Sequence, residues 1–164
     1  MSDYMARLFL LIITLIFSQS LAADTLNLII NGKAMHQDKR NFNEENWGLG
    51  FEYDFAEKDK WINFVTGSFF KDSVNNTSKY LGGGTKRRFM LESDKDGWHI
   101  DAGMVAFLMT RKDYKNEEPF FGALPFISVG TSKVAINATY IPAVSPKLVS
   151  LWFFQASFRL AEWN

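Results

Sequence analysis

Polar and apolar residues alternate along most of this chain with a period of two, the spacing of a strand that buries one face. Between residues 48 and 55, Leu49, Phe51, Tyr53 and Phe55 fall on one face and Gly48, Gly50, Glu52 and Asp54 on the other. Near the C-terminus Trp152, Phe154, Ala156, Phe158 and Leu160 alternate with Gln155, Ser157 and Arg159, and Val134, Ile136, Ala138 and Tyr140 alternate with Ala135, Asn137 and Thr139. The pattern predicts eight strands, near 26–35, 47–56, 61–70, 79–90, 98–109, 119–130, 133–142 and 149–160. Each is close to the roughly 9–11 residues of a tilted membrane-spanning strand.

The connections sharpen this reading. If the first strand starts on the inner side, the returning turns fall at Ala56–Lys60, Leu91–Gly97 and Thr131–Ser132. The outer loops then fall at His36–Asn46, Lys71–Ser78, Thr110–Glu118 and Ala143–Leu148. The last two inner turns are shorter than most outer loops, an asymmetry typical of outer-membrane barrels. A soluble lipocalin-like barrel would alternate too, but with its apolar faces turned inward. The N-terminus separates the two. Arg7 precedes the apolar run Leu8 to Phe17, and Ser20-Leu21-Ala22 offers small residues for a signal peptidase. That run is about half of the roughly 20 residues that a membrane-spanning helix needs. The expected organisation is a cleaved signal peptide over 1–22 and an all-β, eight-stranded antiparallel transmembrane β-barrel over 23–164, in a bacterial outer membrane.

Composition agrees. Aromatics make up 16% of the 164 residues, with 16 Phe and 5 Trp, a load suited to interfacial girdles. The 18 basic and 18 acidic residues balance, so net charge gives no support to a nucleic-acid partner. Absence of Cys excludes disulfides and thiolate chemistry, and His36 and His99 alone are too few for a multi-histidine metal site. No metal or organic cofactor is expected. His99, beside Trp98, is expected at the inner rim as an interfacial residue.

One segment carries candidate chemistry: Phe69-Phe70-Lys71-Asp72-Ser73-Val74-Asn75-Asn76, at an outer strand end. Lys-Asp-Ser there equally suits turn chemistry, since Asp and Ser both bond local backbone. Nucleophilic chemistry at a serine needs its hydroxyl activated by a base, and His36 lies at the same rim, two strands away. Two strand spacings are about 10 Å, a gap for loop residues to close. The run Gly82-Gly83-Gly84 either leaves interior room for a chain or relieves curvature. Outer-loop cations Lys39, Arg40, Lys71, Lys79, Arg111, Lys112, Lys115 and Lys147 suit lipid phosphates, and equally suit solvated loop positions.

The Lys71-Asp72-Ser73-x-Asn75 segment resembles the lipid A palmitoyltransferase family of the outer membrane (PagP). So do Asn43-Glu44-Glu45-Asn46-Trp47-Gly48-Leu49-Gly50-Phe51, Leu124-Pro125 with Ile127-Ser128-Val129-Gly130, and Thr139-Tyr140-Ile141-Pro142, all in the family's order. The likeness covers most of residues 31–160. It implies transfer of a palmitoyl or similar chain from a phospholipid donor to lipid A or lipopolysaccharide, by a monomer. The family's catalytic Asp and Ser fall on Asp72 and Ser73, and its palmitate-measuring glycine falls on Gly84 without a gap from Ser73. Prolines flanking one of its two lateral lipid openings are matched by Pro125 and Pro142; the proline at the other is replaced by Asn46. The family's amphipathic helix before the first strand has no counterpart. Its catalytic His aligns with Asn31, leaving His36, five residues on, as the candidate base. Five is odd, so an unbroken strand sends the two side chains to opposite faces, and only a bulge would bring His36 inward.

Two rival functions stand beside the transferase: a non-catalytic small barrel binding lipid or protein through its loops, and a lipid A deacylase with its His and Ser on the lipid-facing wall. The gap between His36 and Ser73 decides between the first and the transferase.

Overall fold

The computed structural model describes residues 24–38, 41–93, 96–112, 114, 117–143 and 149–163. The expected signal peptide and the loop cations Lys39, Arg40, Lys115 and Lys147 lie outside the described residues.

Eight strands follow in order: β1 (Asp24–His36), β2 (Glu45–Asp54), β3 (Trp61–Lys71), β4 (Thr77–Met90), β5 (His99–Thr110), β6 (Phe120–Gly130), β7 (Val134–Ile141) and β8 (Leu151–Trp163). Each pairs antiparallel with its sequence neighbour, and β8 pairs back onto β1 to close the barrel. The alternation sorts the faces as expected. Leu49, Phe51, Trp152 and Phe158 are exposed on the outside, while Glu52 and Asp54 are buried inside. Exposed Trp47, Phe69, Phe121 and Trp152 lie toward the outer end, and Trp61, Phe89, Trp98 and Trp163 toward the inner. This is the girdled apolar belt of a membrane barrel, and closure pairs every strand on both sides over at least part of its length.

The interior divides in two. Toward the inner end it is filled by charge. Lys86 Nζ lies 2.8 Å from both Glu52 Oε1 and Asp54 Oδ1, and Asn27 Nδ2 donates to Asp54 Oδ2 at 3.1 Å. Arg88 meets Asp101 through two bonds of 3.0 and 2.8 Å. His99, expected at the lipid interface, is instead 3% exposed and faces this network, 3.6 Å from Asp101. Its ladder pairing with Gly130 puts it at the inner end, and alternation turns it inward. The outer half holds a cavity of about 540 Å³ lined largely by Phe, Leu, Val, Met and Ile side chains.

Candidate active site

The expected obstacle at His36 is resolved by a bulge. Strand β1 pairs regularly with β2 up to Asn31↔Gly48 and then resumes at Lys33↔Glu45. Against β8 the register runs to Asn31↔Gln155 and resumes at Ala34↔Phe153. Against β8 the extra residue lies on β1, around Gly32, and shifts the phase of its alternation, whereas against β2 the extra residue lies on β2, between Glu45 and Gly48. Asn31 and Ala34, three apart, are therefore both interior at 1% exposure, and His36 follows Ala34 on the same face.

There it meets Ser73. His36 Nε2 and Ser73 Oγ are hydrogen-bonded at 2.8 Å. The imidazole stacks on Phe42, with ring centroids 4.4 Å apart and planes 20° from parallel. His36 Nδ1 is buried and, among the described residues, hydrogen-bonds to no carboxylate. The pair is a dyad.

Asp72 has other work. Its Oδ1 accepts the backbone N–H groups of Val74 at 3.0 Å and Asn76 at 2.9 Å, and its Oδ2 accepts the Ser78 hydroxyl at 2.9 Å. Its own N–H donates to the Asn76 carbonyl at 2.8 Å. The turn that presents Ser73 is thus wound around this carboxylate, an Asx arrangement. Asn75 completes it with φ 63, a left-handed conformation that Asn tolerates better than most residues. This is a physical reason for Asp-Ser-x-Asn: one residue winds the turn, one is presented, and one absorbs the strain. Asp72 is a positioning residue here: its carboxylate bonds Val74, Asn76 and Ser78 and makes no bond to the His36 ring, whereas the resemblance gives it a catalytic part.

The approach of the two loops is made by Asn43. Its backbone N–H donates to the Ser73 carbonyl at 2.9 Å, and its Nδ2 donates to the Asp72 carbonyl at 3.0 Å. The β1–β2 loop is thereby stapled to the β3–β4 turn, closing the two-strand gap. Neither Asn43 nor Phe42 was singled out for this from the sequence; Asn43 opens one of the motif segments, but nothing local reveals its partner.

The roles separate experimentally. In Asp72→Asn the amide oxygen still accepts both backbone N–H groups and the amide nitrogen can donate to Ser78, so the variant should keep activity within about tenfold of wild type. Asp72→Ala removes three hydrogen bonds and should lose far more, since buried donors are left unpaired. Initial rates for both variants check this; an Asn variant as inactive as Ala would restore Asp72 to a direct role at the imidazole.

Ser73, Asp72 and Arg111 border the mouth of the cavity, and Arg111 is close enough to His36 for its charge to act on the ring. Midway down, a polar layer interrupts the apolar wall. Asn31 Nδ2 donates to Ser68 Oγ at 2.6 Å, and Gln155 Nε2 donates to Asn31 Oδ1 at 2.7 Å and Tyr80 Oη at 3.2 Å. At the bottom stand Phe64 and Phe126, edge to face with centroids 5.6 Å apart.

The cavity also borders the wall between β6 and β7. These strands pair only from Phe126↔Thr139 to Gly130↔Ala135, which leaves the outer half of β6 without a β7 partner. Pro125, at the first unpaired position, has no N–H to give a ladder, and Pro142 follows the last residue of β7. Ala123 belongs to the outward face of β6 and is exposed, yet lines the cavity together with Pro142. Between β1 and β2 the wall is instead bonded beyond the bulge, by Lys33↔Glu45 and by the Ala34 N–H to the Glu44 carbonyl at 2.9 Å. Asn46 there ties β2 to β3, donating to the Lys71 carbonyl at 2.6 Å.

A family profile described as "Antimicrobial peptide resistance and lipid A acylation protein PagP" matches residues 29–155, more than half of the sequence. The chain belongs to the PagP family. It is similar to the Lipid A acyltransferase PagP of Yersinia enterocolitica, 31% identical over 119 residues that cover 71% of this chain and 57% of that protein. The protein of the same name from Bordetella pertussis is 31% identical over 114 residues, 68% of this chain and 61% of that one. That from Methylobacillus flagellatus is 30% identical over 105 residues, 62% and 54%. The chain thus spans somewhat over half the length of these curated relatives. Among solved structures, the outer membrane protein Ail of Yersinia pestis in a phospholipid nanodisc aligns with a TM-score of 0.45 at 11% identity, covering 83% of this chain and 99% of that one.

Within the PagP frame, His36, Asp72 and Ser73 are brought together, and Pro125 and Pro142 flank one unzipped wall. Asn31, expected from the resemblance to stand at the family's histidine position, belongs to the polar layer with Ser68 and Gln155. Gly84 faces the interior but does not line the cavity, because the ring of Phe64, its cross-strand partner, covers it. The Gly82–Gly84 run thus makes room chiefly for the neighbouring strands: an added Cβ at Gly82 would strike the Ala106 carbonyl and lie 2.7 Å from Phe107 Cβ.

Proposed function

We propose that the chain is a lipid A acyltransferase that moves a palmitoyl or similar chain from a phospholipid to lipid A, working as a monomer in the outer membrane. The observation that carries this reading is the 2.8 Å His36–Ser73 bond at the mouth of an acyl-sized, largely apolar cavity. In this scheme His36 Nε2 takes the Ser73 proton as Oγ attacks the ester carbonyl of the donor. The ester C–O bond breaks, and the proton leaves with the lysophospholipid. A hydroxyl of lipid A, deprotonated by the same nitrogen, then takes the acyl group as the Ser73 ester bond breaks, and the proton passes from the imidazole back to Ser73 Oγ. Arg111 at the rim supplies positive charge for a lipid phosphate. The gap between β6 and β7, flanked by Pro125 and Pro142, supports lateral entry of lipid from the membrane, and the bonded β1–β2 wall at Asn46 argues against entry there.

The site faces the barrel interior, which disfavours a deacylase acting on the outer wall. Direct contact of base and hydroxyl disfavours a non-catalytic barrel. The test is mass spectrometry of lipid A from an outer-membrane host that lacks such an activity. Expression of the chain should add one acyl group to lipid A and leave an equal amount of lysophospholipid. Unchanged lipid A in cells with folded barrel would end the proposal.

A further inference from the structure

We propose that the ring of Phe64, and not Gly84, is the floor on which the acyl chain ends, so that Phe64 sets the longest chain this barrel admits. The inference rests on the transferase reading for the nature of the occupant, but its geometry is independent of it. Phe64 points inward from β3, is 3% exposed and lines the cavity. It is paired directly across the ladder with Gly84. A Cβ added at Gly84 would lie 2.7 Å from Phe64 Cζ and 3.0 Å from Cε1, and would also strike the Met104 carbonyl. The glycine is therefore the bed of the ring. It leaves space, and Phe64 fills that space.

The ring is held there from two sides. Phe126 meets it edge to face, and the Lys86 ammonium lies 5.3 Å from its centroid. Against it stands the Lys86–Glu52–Asp54 cluster, whose charges are paired at 2.8 Å and of which Glu52 alone also borders the cavity. Burying a methyl terminus among paired charges gains nothing, whereas burying it against an aromatic face does. Phe64 is thus the boundary between the acyl-binding half of the barrel and its charged half. A chain that ends on it is shorter than one that would reach Gly84.

Removing the ring should let the chain run deeper. Each further buried methylene favours the longer chain about fourfold, so a chain two carbons longer should gain roughly fifteenfold over the wild-type choice in Phe64→Ala. Two readouts keep the floor and the chemistry distinct. The first is the acyl length on lipid A, by mass spectrometry, with wild type and Phe64→Ala given the same mixture of donors. The second needs no turnover: each protein, in identical nanodiscs, is equilibrated with an equimolar mixture of saturated fatty acids, and bound chains are weighed by native mass spectrometry. Partition into the bilayer cancels in the comparison. Longer chains in the variant by both readouts support the floor. An unshifted bound distribution overturns it, whatever the activity. If wild type transfers nothing yet the bound distribution shifts, the transferase reading fails and the floor stands. Should Phe64→Ala not fold, Phe64→Leu, which keeps most of the packing, must show the same shift in smaller degree, and a folded Leu variant without it overturns the assignment.

Discussion

Ser73→Ala is expected to abolish acyl transfer, lowering the rate by about a thousandfold or more, while leaving the barrel folded. The substitution removes one hydroxyl at the end of a turn whose other bonds run through Asp72 and Asn43, so the turn itself survives. What is lost is the atom 2.8 Å from the His36 ring. His36→Phe is the matching variant. It keeps a flat ring to stack on Phe42 but has no nitrogen to take a proton, and it should be as inactive as the serine variant. Because the two residues act as one unit, the double variant should be no worse than either single one. Lipid A mass spectrometry gives the rate, and the gel-mobility difference between heated and unheated barrel reports folding. Transfer by either folded variant within tenfold of wild type would remove the dyad from the mechanism.

The largest expected effect on stability lies at the other end of the barrel. Lys86→Met should destabilise the fold by about 3–5 kcal/mol, because it leaves two buried carboxylates without their partner. Lys86 is 6% exposed and is the ammonium between Glu52 and Asp54, both 8% exposed. Neutralising those carboxylates as well, in Lys86→Met combined with Glu52→Gln and Asp54→Asn, should recover much of the loss, since the cost is that of unpaired charge and not of a lost contact. Urea unfolding of the barrel in bilayers, followed by tryptophan fluorescence, measures both. A single variant as stable as wild type would mean that the carboxylates are otherwise satisfied. The ring of Phe64 should also loosen in this variant, as it loses the ammonium beside its face.

Much of this protein is determined by the sequence on its own. The alternation is local chemistry. Each strand carries its own record of which face meets lipid, so strand number, antiparallel order, outward aromatics and inward Glu52 and Asp54 follow from a period of two. Asp72, Ser73 and Asn75 are likewise local, since the bonds that wind this turn run from the Asp72 carboxylate to Val74, Asn76 and Ser78 just along the chain. Even His36 as the candidate base followed from there being two histidines, one at each rim.

Tertiary structure decided what depends on the neighbour across the ladder. The bulge at Gly32 turns His36 inward, but a bulge is a mismatch between strands, and this one consists of three residue steps on β1, Asn31 to Ala34, standing opposite two on β8, Gln155 to Phe153. The closeness of His36 and Ser73 depends on Asn43 reaching a turn some 30 residues further along the chain (73 − 43 = 30). That His99, inward by alternation beside exposed Trp98, lies in a network with Asp101 and Arg88 depends on which residue of β4 faces β5. Gly84 appeared to be open floor because a glycine declares only its own lack of a side chain. That Phe64 lies over it is a matter of which residue of β3 stands opposite, and cross-strand register is set by the closed sheet as a whole.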